Sequence, residues 1–413
     1  MARNRVIYQS EGLYVGASSG QSHSETLDQK NAASVTRNGL TPKQLFRVQS
    51  INYGFDIPRQ DVNQFGQLAR IDQVILEQPT VDLDFTYYTE TGYNDRELGF
   101  HVGGVNALSH FISGNIGKLN ADSNLPGSNF YIRTTKEGDD LNRGSELGTD
   151  DVIGIGNGFI TNYTVEAAVG SFPTTSITAE GLNMRFYVDG QGTNQGSNAH
   201  VPAVNPQDGT PIESNFALPD ANENADNTMP TALRPGAVVF QGAAFGDASN
   251  ADNKLWRGLD ADTIHIQSFS ISADMSRENL ERLGSKFAYS KELEFPLTVT
   301  LSMEALVADT IADKLSDIVG GDDDKYNATF AIKGTPETSW TNVNGKQAIA
   351  YKLKGLKTDS LSFSSSIGDN KSVSLTATAQ IGAGDDTDNG LFIFTTGVKV
   401  GAPDGTLGEG DQA

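Results

Sequence analysis

Apolar and polar residues alternate along most of the chain. Over residues 48–57, Ile51, Tyr53, Phe55 and Ile57 alternate with Ser50, Asn52, Gly54 and Asp56. Over 80–88, Val81, Leu83, Phe85 and Tyr87 alternate with Asp82, Asp84 and Thr86. Successive side chains of a strand point to opposite faces, so this period predicts strands with one buried and one polar face. The pattern returns at Phe269, Ile271, Ala273 and Met275, at Val299, Leu301 and Met303, and at Val373, Leu375, Ala377 and Ala379. Residues 360–367 and 372–381 flank Gly368, Asp369, Asn370 and Lys371, turn formers that predict a hairpin. One helix is predicted over 305–319, where Leu306, Ile311, Leu315 and Ile318 can share a face before Gly320 and Gly321 end it. A last strand is expected within 391–400.

The chain also repeats itself. A shift of 218 residues places Gln49, Ser50, Asp56, Arg59 and Gly66 on Gln267, Ser268, Asp274, Arg277 and Gly284 without a gap. The same shift pairs Val81, Leu83 and Phe85 with Val299, Leu301 and Met303. With small changes of offset, Val102, Gly103 and Gly104 meet Val319, Gly320 and Gly321; Phe130 and Ile132 meet Phe330 and Ile332; Val165, Val169 and Gly170 meet Phe363, Ile367 and Gly368. At the front, Val6, Ile7, Tyr8 and Gln9 resemble Val238, Val239, Phe240 and Gln241. The preserved order predicts a duplicated domain. The first copy is expected within 1–188, with an insertion at about 105–127, and the second within 236–413. Between them, 189–235 is rich in Gly, Asn, Pro and Asp and reads as a long loop or linker. The fold class expected is mainly β: two tandem β-sandwiches or open barrels, each with a short flanking helix.

Length and charge narrow the partners. A chain of 413 residues has room for two or three domains at roughly 100 to 200 residues each. Its 30 Lys and Arg against 52 Asp and Glu leave a net charge of −22, which works against gripping phosphates. An acidic wall can instead let DNA pass without adhering. With no Cys, disulfides, thiolate metal sites and Cys nucleophiles are ruled out. No apolar run approaches the ~20 residues of a membrane span, and none near the start suits a signal peptide, so neither export nor membrane insertion is expected.

Motifs for chemistry are weak, and no enzyme activity, cofactor or metal is expected. His23, His101, His110, His200 and His265 are scattered, without the spacing of a zinc-peptidase helix. Gly154, Gly156 and Gly158 lack the spacing and following helix of a dinucleotide fingerprint and read as a flexible turn before a strand at 159–165. Asp322, Asp323 and Asp324, and Asp385, Asp386 and Asp388, lie in glycine-containing loops that read as solvated rather than as calcium loops. Arg59 and Arg277 are more specific: each stands three residues after an acid, Asp56 or Asp274, and seven before a glycine, Gly66 or Gly284. Each Arg either fixes its own turn or pairs with a carboxylate across an interface.

The stretches VQSINYGFDIPRQDVNQFGQLARIDQVILEQPTVDLDFTYY and IQSFSISADMSRENLERLGSKFAYSKELEFPLTVTLSM resemble one another and the signature region of tailed-bacteriophage tail tube proteins. SLSFSSSIGDNKSVSLTATAQIG is similar to the hairpin found late in such sequences. The resemblance covers most of both halves, but each motif is short. It implies a β-sandwich with a flanking helix, and rings of six units whose inner strands form a continuous barrel around a DNA channel. With two units in a chain, three chains would close a ring. The partners implied are the chain itself, tape measure, terminator and baseplate proteins, and genomic DNA in transit; the location implied is the virion tail tube, assembled in the host cytoplasm. Asp56, Asp82, Asp84, Asp274 and Glu304 lie opposite the apolar positions of their strands and are the candidates to face the channel. Two other readings stay open: a distal tail or baseplate ring, and a carbohydrate-binding or carbohydrate-cleaving sandwich. Against the latter, Trp256 and Trp340 are the only Trp residues and neither sits in an aromatic cluster.

Overall fold

The computed structural model describes residues 11–17, 22–25, 35–38, 42–75, 78–89, 92–112, 127–135, 141, 150–188, 200–206, 208–218, 238–240, 265–284, 287–288, 290–307, 326–333, 348–365 and 370–396. Its elements follow the chain as β1 (Glu11–Ala17), β2 (Ser22–Glu25), β3 (Val35–Asn38), β4 (Lys43–Gln44), β5 (Val48–Asp56), β6 (Arg59–Val62), β7 (Asp72–Ile75), β8 (Thr80–Tyr88), α1 (Tyr93–Leu98), α2 (Ser109–Ile112), β9 (Ser128–Thr134), β10 (Asp151–Ala168), β11 (Thr174–Gly181) and β12 (Asn183–Tyr187). There follow β13 (Val238–Phe240), β14 (His265–Asp274), β15 (Arg277–Leu280), β16 (Ser290–Leu293), β17 (Thr298–Leu306), β18 (Tyr326–Lys333), β19 (Ala348–Ser364), β20 (Ser372–Gln380) and β21 (Gly390–Thr396). The protein is mainly β, as the alternation predicts.

One pairing scheme is written twice. In the first half β1 pairs β9, β9 pairs β10, and β10 pairs β12 and β11; β11 pairs β8, β8 pairs β5, and β6 pairs β7. In the second half β13 pairs β18, β18 pairs β19, and β19 pairs β21 and β20; β20 pairs β17, β17 pairs β14, and β15 pairs β16. Registers repeat as well as pairings. Ser50 opposite Thr86 and Arg59 opposite Ile75 recur 218 residues later as Ser268 opposite Glu304 and Arg277 opposite Leu293. Even the irregularity in β10 between Ile160 and Asn162 recurs in β19 between Thr358 and Ser360.

The long strands β10 and β19 position everything else. Their first halves belong to small outer sheets, and their second halves run into one broad antiparallel sheet. That joined sheet has the order β19-β20-β17-β14-β10-β11-β8-β5. Its centre is the pairing of β14 with β10, which fuses the two halves. One face of it carries Val81, Leu83, Phe85, Ile177, Val165, Ile271, Leu301 and Leu375, packed in a single core with Leu13, Phe130, Ile132, Phe330 and Ile349 of the outer sheets. The rings of Phe85 and Phe130 lie 6.1 Å apart, and those of Phe269 and Phe330 4.3 Å. Each such side chain contributes about 1.5–3 kcal/mol when fully buried.

The expected insertion adds to this core, and part of the expected linker builds a second, smaller one. After α1, Ala107, Leu108 and Phe111 are buried, and the Ala107 amide bonds the Leu391 carbonyl of β21 at 2.7 Å, tying the two halves together. Val201, Ala203, Phe216 and Leu218, inside the expected linker, pack on Tyr14, Tyr131, Val152 and Tyr187 of the first half.

Some expectations are corrected. Gly154, Gly156 and Gly158 are not a turn; they lie inside β10. Residues 202–203 cross directly over the strand, so a Cβ at Gly156 would run into the Pro202 backbone, and one at Gly158 would meet the Phe130 ring. Of the helix expected at 305–319, Ala305 and Leu306 are strand residues of β17, and 308–319 fall outside the described residues. The front alignment also shifts. Leu13 and Val15 face Ile132 and Phe130 as Val238 and Phe240 face Ile332 and Phe330, so β1 and not Val6–Gln9 is the counterpart of β13. Val6–Gln9 themselves lie outside the described residues, as do residues 397–400 of the last expected strand, whose described part is β21.

Candidate functional site: the polar face and open ends of the joined sheet

The second face of the joined sheet is built from the polar half of each alternation. Asp82 stands opposite Glu180 on β11 and Gly54 on β5; Asp84 stands opposite Thr178 and Asn52. Further across, Glu166 faces Thr174 and Ser270, Asp274 faces Asn162, and Glu304 faces Ser268 and Ser374. Hydroxyls fill the rows between them. Ser50 and Thr86 lie 2.7 Å apart, Thr164 donates to Ser272 at 3.2 Å, and Ser362 and Ser374 lie 3.2 Å apart.

All five acids picked from the sequence, Asp56, Asp82, Asp84, Asp274 and Glu304, are exposed there. Glu166 and Glu180 share the face and were missed. Glu166 follows the same alternation within the Gly-containing strand β10, so the signal was present. Among the described residues two lysines bear on this face: Lys357, beside Thr378, and Lys291, whose ammonium reaches Glu180 at 3.1 Å. Where Asp274 ends β14, its carboxylate accepts from the Ser276 amide and hydroxyl at 3.0 and 2.7 Å and turns the chain into β15.

The repeated Arg and Gly sit in equivalent hairpins with unlike surroundings. Gly66 and Gly284 occupy the tips of β6–β7 and β15–β16 with φ of 86° and 91°, a left-handed conformation that favours glycine. Arg277 is half-buried, its guanidinium over the Phe159 ring at 5.3 Å, and loss of solvent there lowers its pKa to about 10, against the nearby charges of Glu292 and Glu180. Lys291 lies over the same ring and is 1% exposed. Phe287 packs with Phe159, Leu182 and Val204, and the Ala288 amide donates to the Gln78 side chain at 2.8 Å. The hairpin β15–β16 therefore rests on the first half. Its counterpart β6–β7 does not: Arg59 is exposed, as is nearly every residue of both strands, whereas the tips of the two hairpins, Phe65 and Leu283, stand alike in solvent.

The ends of the joined sheet are open. Among the described residues β5 pairs only with β8, and the 357–364 stretch of β19 pairs only with β20. Apolar side chains at these ends are partly exposed: Phe55 is 60% exposed, Tyr53 38% and Phe363 49%, the last with the Lys371 ammonium over its ring at 5.0 Å. At the equivalent positions of the internal joint, Ala273, Ile271 and Val165 are fully buried.

Other candidate chemistry is modest. His101 and His110, apart in sequence, come together at 3.3 Å between ring nitrogens. Asp386 accepts from the Asp388 amide and the Asn389 side chain, so it shapes its own turn. Among the described residues no group of three or more His, Asp or Glu is placed to hold a metal ion, and no helix is long and apolar enough to cross a membrane. Asp322, Asp323, Asp324, Trp256 and Trp340 lie outside the described residues.

No family model matches the chain, and no curated protein matches it. Among solved structures, a chain from the virion of a native gene transfer agent particle is similar at 14% identity and a TM-score of 0.17, over 38% of this chain and 95% of that one. A likeness this slight bears on neither fold nor function.

Proposed function

We propose that the protein is a non-catalytic virion structural protein, and more finely the repeating subunit of a phage tail tube. The observation that supports this reading is the joined sheet: eight strands with a buried face, a face of hydroxyls and carboxylates, and an open edge at each end. A sheet of this kind in isolation exposes aggregation-prone edges, and closing it into a barrel removes them. Three chains would supply about 24 strands. At a spacing of about 4.8 Å and a tilt of about 40°, these close on a backbone circle about 48 Å across, wide enough for a DNA duplex.

The polar face then lines the bore. Carboxylates with hydroxyls between them repel phosphate and offer no cluster of cations to hold it, so DNA moves through without sticking. The ring would carry a formal charge of about −66, three times the chain's −22. The tail tube resemblance in the sequence supports the same geometry, with tape measure, terminator and baseplate proteins as partners at the ends.

Negative-stain imaging of the purified full chain tests this. Long hollow tubes of stacked rings are expected. Rings that never stack would move the assignment to a distal tail or baseplate ring, and dispersed single particles at high concentration would contradict both.

A further inference from the structure

We propose that β5 of one chain adds to the open edge of β19 in a second copy of this chain, antiparallel, with Gly54 opposite Ser362, Tyr53 opposite Phe363 and Phe55 opposite Leu361. This deepens the assembly reading above and shares its premise that chains associate. The partner and the register, however, come from the fold itself.

The chain already contains this joint once. Strand β14 pairs β10 with Ala273 opposite Tyr163, Ser272 opposite Thr164, Ile271 opposite Val165 and Ser270 opposite Glu166. Each strand of that joint has a counterpart fixed by register. The pairing of β14 with β17 matches that of β5 with β8 at an offset of 218, so Ile271, Ser272 and Ala273 correspond to Tyr53, Gly54 and Phe55. The pairing of β10 with β11 matches that of β19 with β20 at an offset of 198, so Tyr163, Thr164 and Val165 correspond to Leu361, Ser362 and Phe363. The chain thus ends on one side in the strand that β14 copies and on the other in the strand that β10 copies. The two open edges are complementary halves of a joint whose filled form is visible in the middle of the sheet.

Burial agrees with this pairing. The joint's apolar residues Ile271, Ala273, Tyr163 and Val165 are fully buried, whereas Tyr53, Phe55 and Phe363 are 38%, 60% and 49% exposed on the same face. Setting Phe363 against Tyr53 covers both and extends the core from chain to chain. The polar face stays continuous, with Asp56 meeting Ser360 and Asn52 meeting Ser364. Because the edges differ, the contact is head to tail and closes only as a ring. The neighbours of the hairpins are not copied: Phe159 and Glu180, which surround Arg277, become Lys357 and Thr378, so Arg59 meets a more polar set.

The absence of Cys from the chain makes the register directly readable. Directly opposed residues in an antiparallel pair have Cα atoms about 4.5–5.5 Å apart, within disulfide reach, whereas a four-residue slip moves them about 13 Å along the strand. Gly54→Cys with Ser362→Cys is one in-register pair; the Gly54 position has open space for a Cβ. Asn52→Cys with Ser364→Cys is a second pair on exposed positions. Asp56→Cys with Ser364→Cys is out of register. Thr164→Cys with Ser272→Cys reports the internal joint and should oxidise within one chain.

Each pair is placed in the full-length protein and oxidised mildly, then run on a denaturing non-reducing gel. Both in-register pairs should give covalent oligomers up to a trimer, at least tenfold more than the out-of-register pair. In-register pairs that stay monomeric while the internal pair oxidises, or an out-of-register pair that links equally well, would overturn the pairing. Covalent trimers without tubes in the images would keep the pairing and end the tube reading. Tubes with no link at either in-register pair would do the reverse.

Discussion

Asp95, in the first turn of α1, is a buried acid between the two halves. It accepts hydrogen bonds from the Tyr87 hydroxyl at 3.0 Å and the Tyr163 hydroxyl at 2.6 Å, and Tyr351 of β19 is close enough to feel its charge. Burial raises its pKa above the usual carboxylate value, with the two tyrosines pulling the other way. A raised folded-state pKa means the native protein binds more protons than the unfolded chain over the window just above about pH 4, so stability falls as pH rises through it. Asp95→Asn should remove this contribution, giving a flatter dependence of stability on pH in urea unfolding from pH 4 to 7. An unchanged slope would contradict the assignment. Tyr163→Phe takes away the shorter of the two donors to a buried carboxylate and should cost about 1.5–3 kcal/mol. The sequence hides this residue: in GYNDREL, Asp95 sits among polar neighbours, and nothing in the spacing says that nearby Tyr87 and distant Tyr163 converge on it.

The two hairpins give a comparison at the level of elements. They share register and tip glycine, but only β15–β16 rests on the other half of the chain. Lys291→Ala removes a buried ammonium from Glu180, which is itself partly exposed, and should cost about 1–2 kcal/mol in the unassembled chain. Gln73→Ala, at the matching position of β6–β7, should change stability by less than about 0.5 kcal/mol, because that hairpin lies almost wholly in solvent. Equal effects in denaturant melts would mean that the hairpins are equally packed.

The joined sheet was legible because its strands bury one face only. Alternation at Ile51 to Phe55 and at Val81 to Tyr87 fixes both the strand and its polar side, and the offset of 218 carries this to β14 and β17. Strand β10 was less legible at its start. Its glycines make room for residues 202–203, a contact between distant segments that leaves no period in the sequence. The front alignment failed for a related reason: β1 and β13 are short apolar runs, and any such run matches another until its partner strand sets the register. Among the candidate residues, the acids could be placed on a face from alternation alone, whereas the partial burial of Arg277 and exposure of Arg59 depend on which half lies beneath the hairpin.

For the whole molecule, the repeated scheme makes the chain a pair of units joined by the same contact that its open ends can offer. The charge of the polar face acts at this scale. Replacing Asp82 and Asp84 with Lys should leave ring formation intact, since both side chains are exposed and outside the core, while slowing DNA release from particles built with the variant. Release at the unaltered rate would place those carboxylates away from the path of the DNA.

The central claim is that three chains close one barrel by sharing sheet edges. End-on cryo-electron microscopy averages of the assembled full-length protein test it most directly. A ring of six lobes around an open bore is expected, alternating between two kinds so that the true symmetry is threefold. Six identical chains in a ring, or a compact particle with no bore, would contradict it.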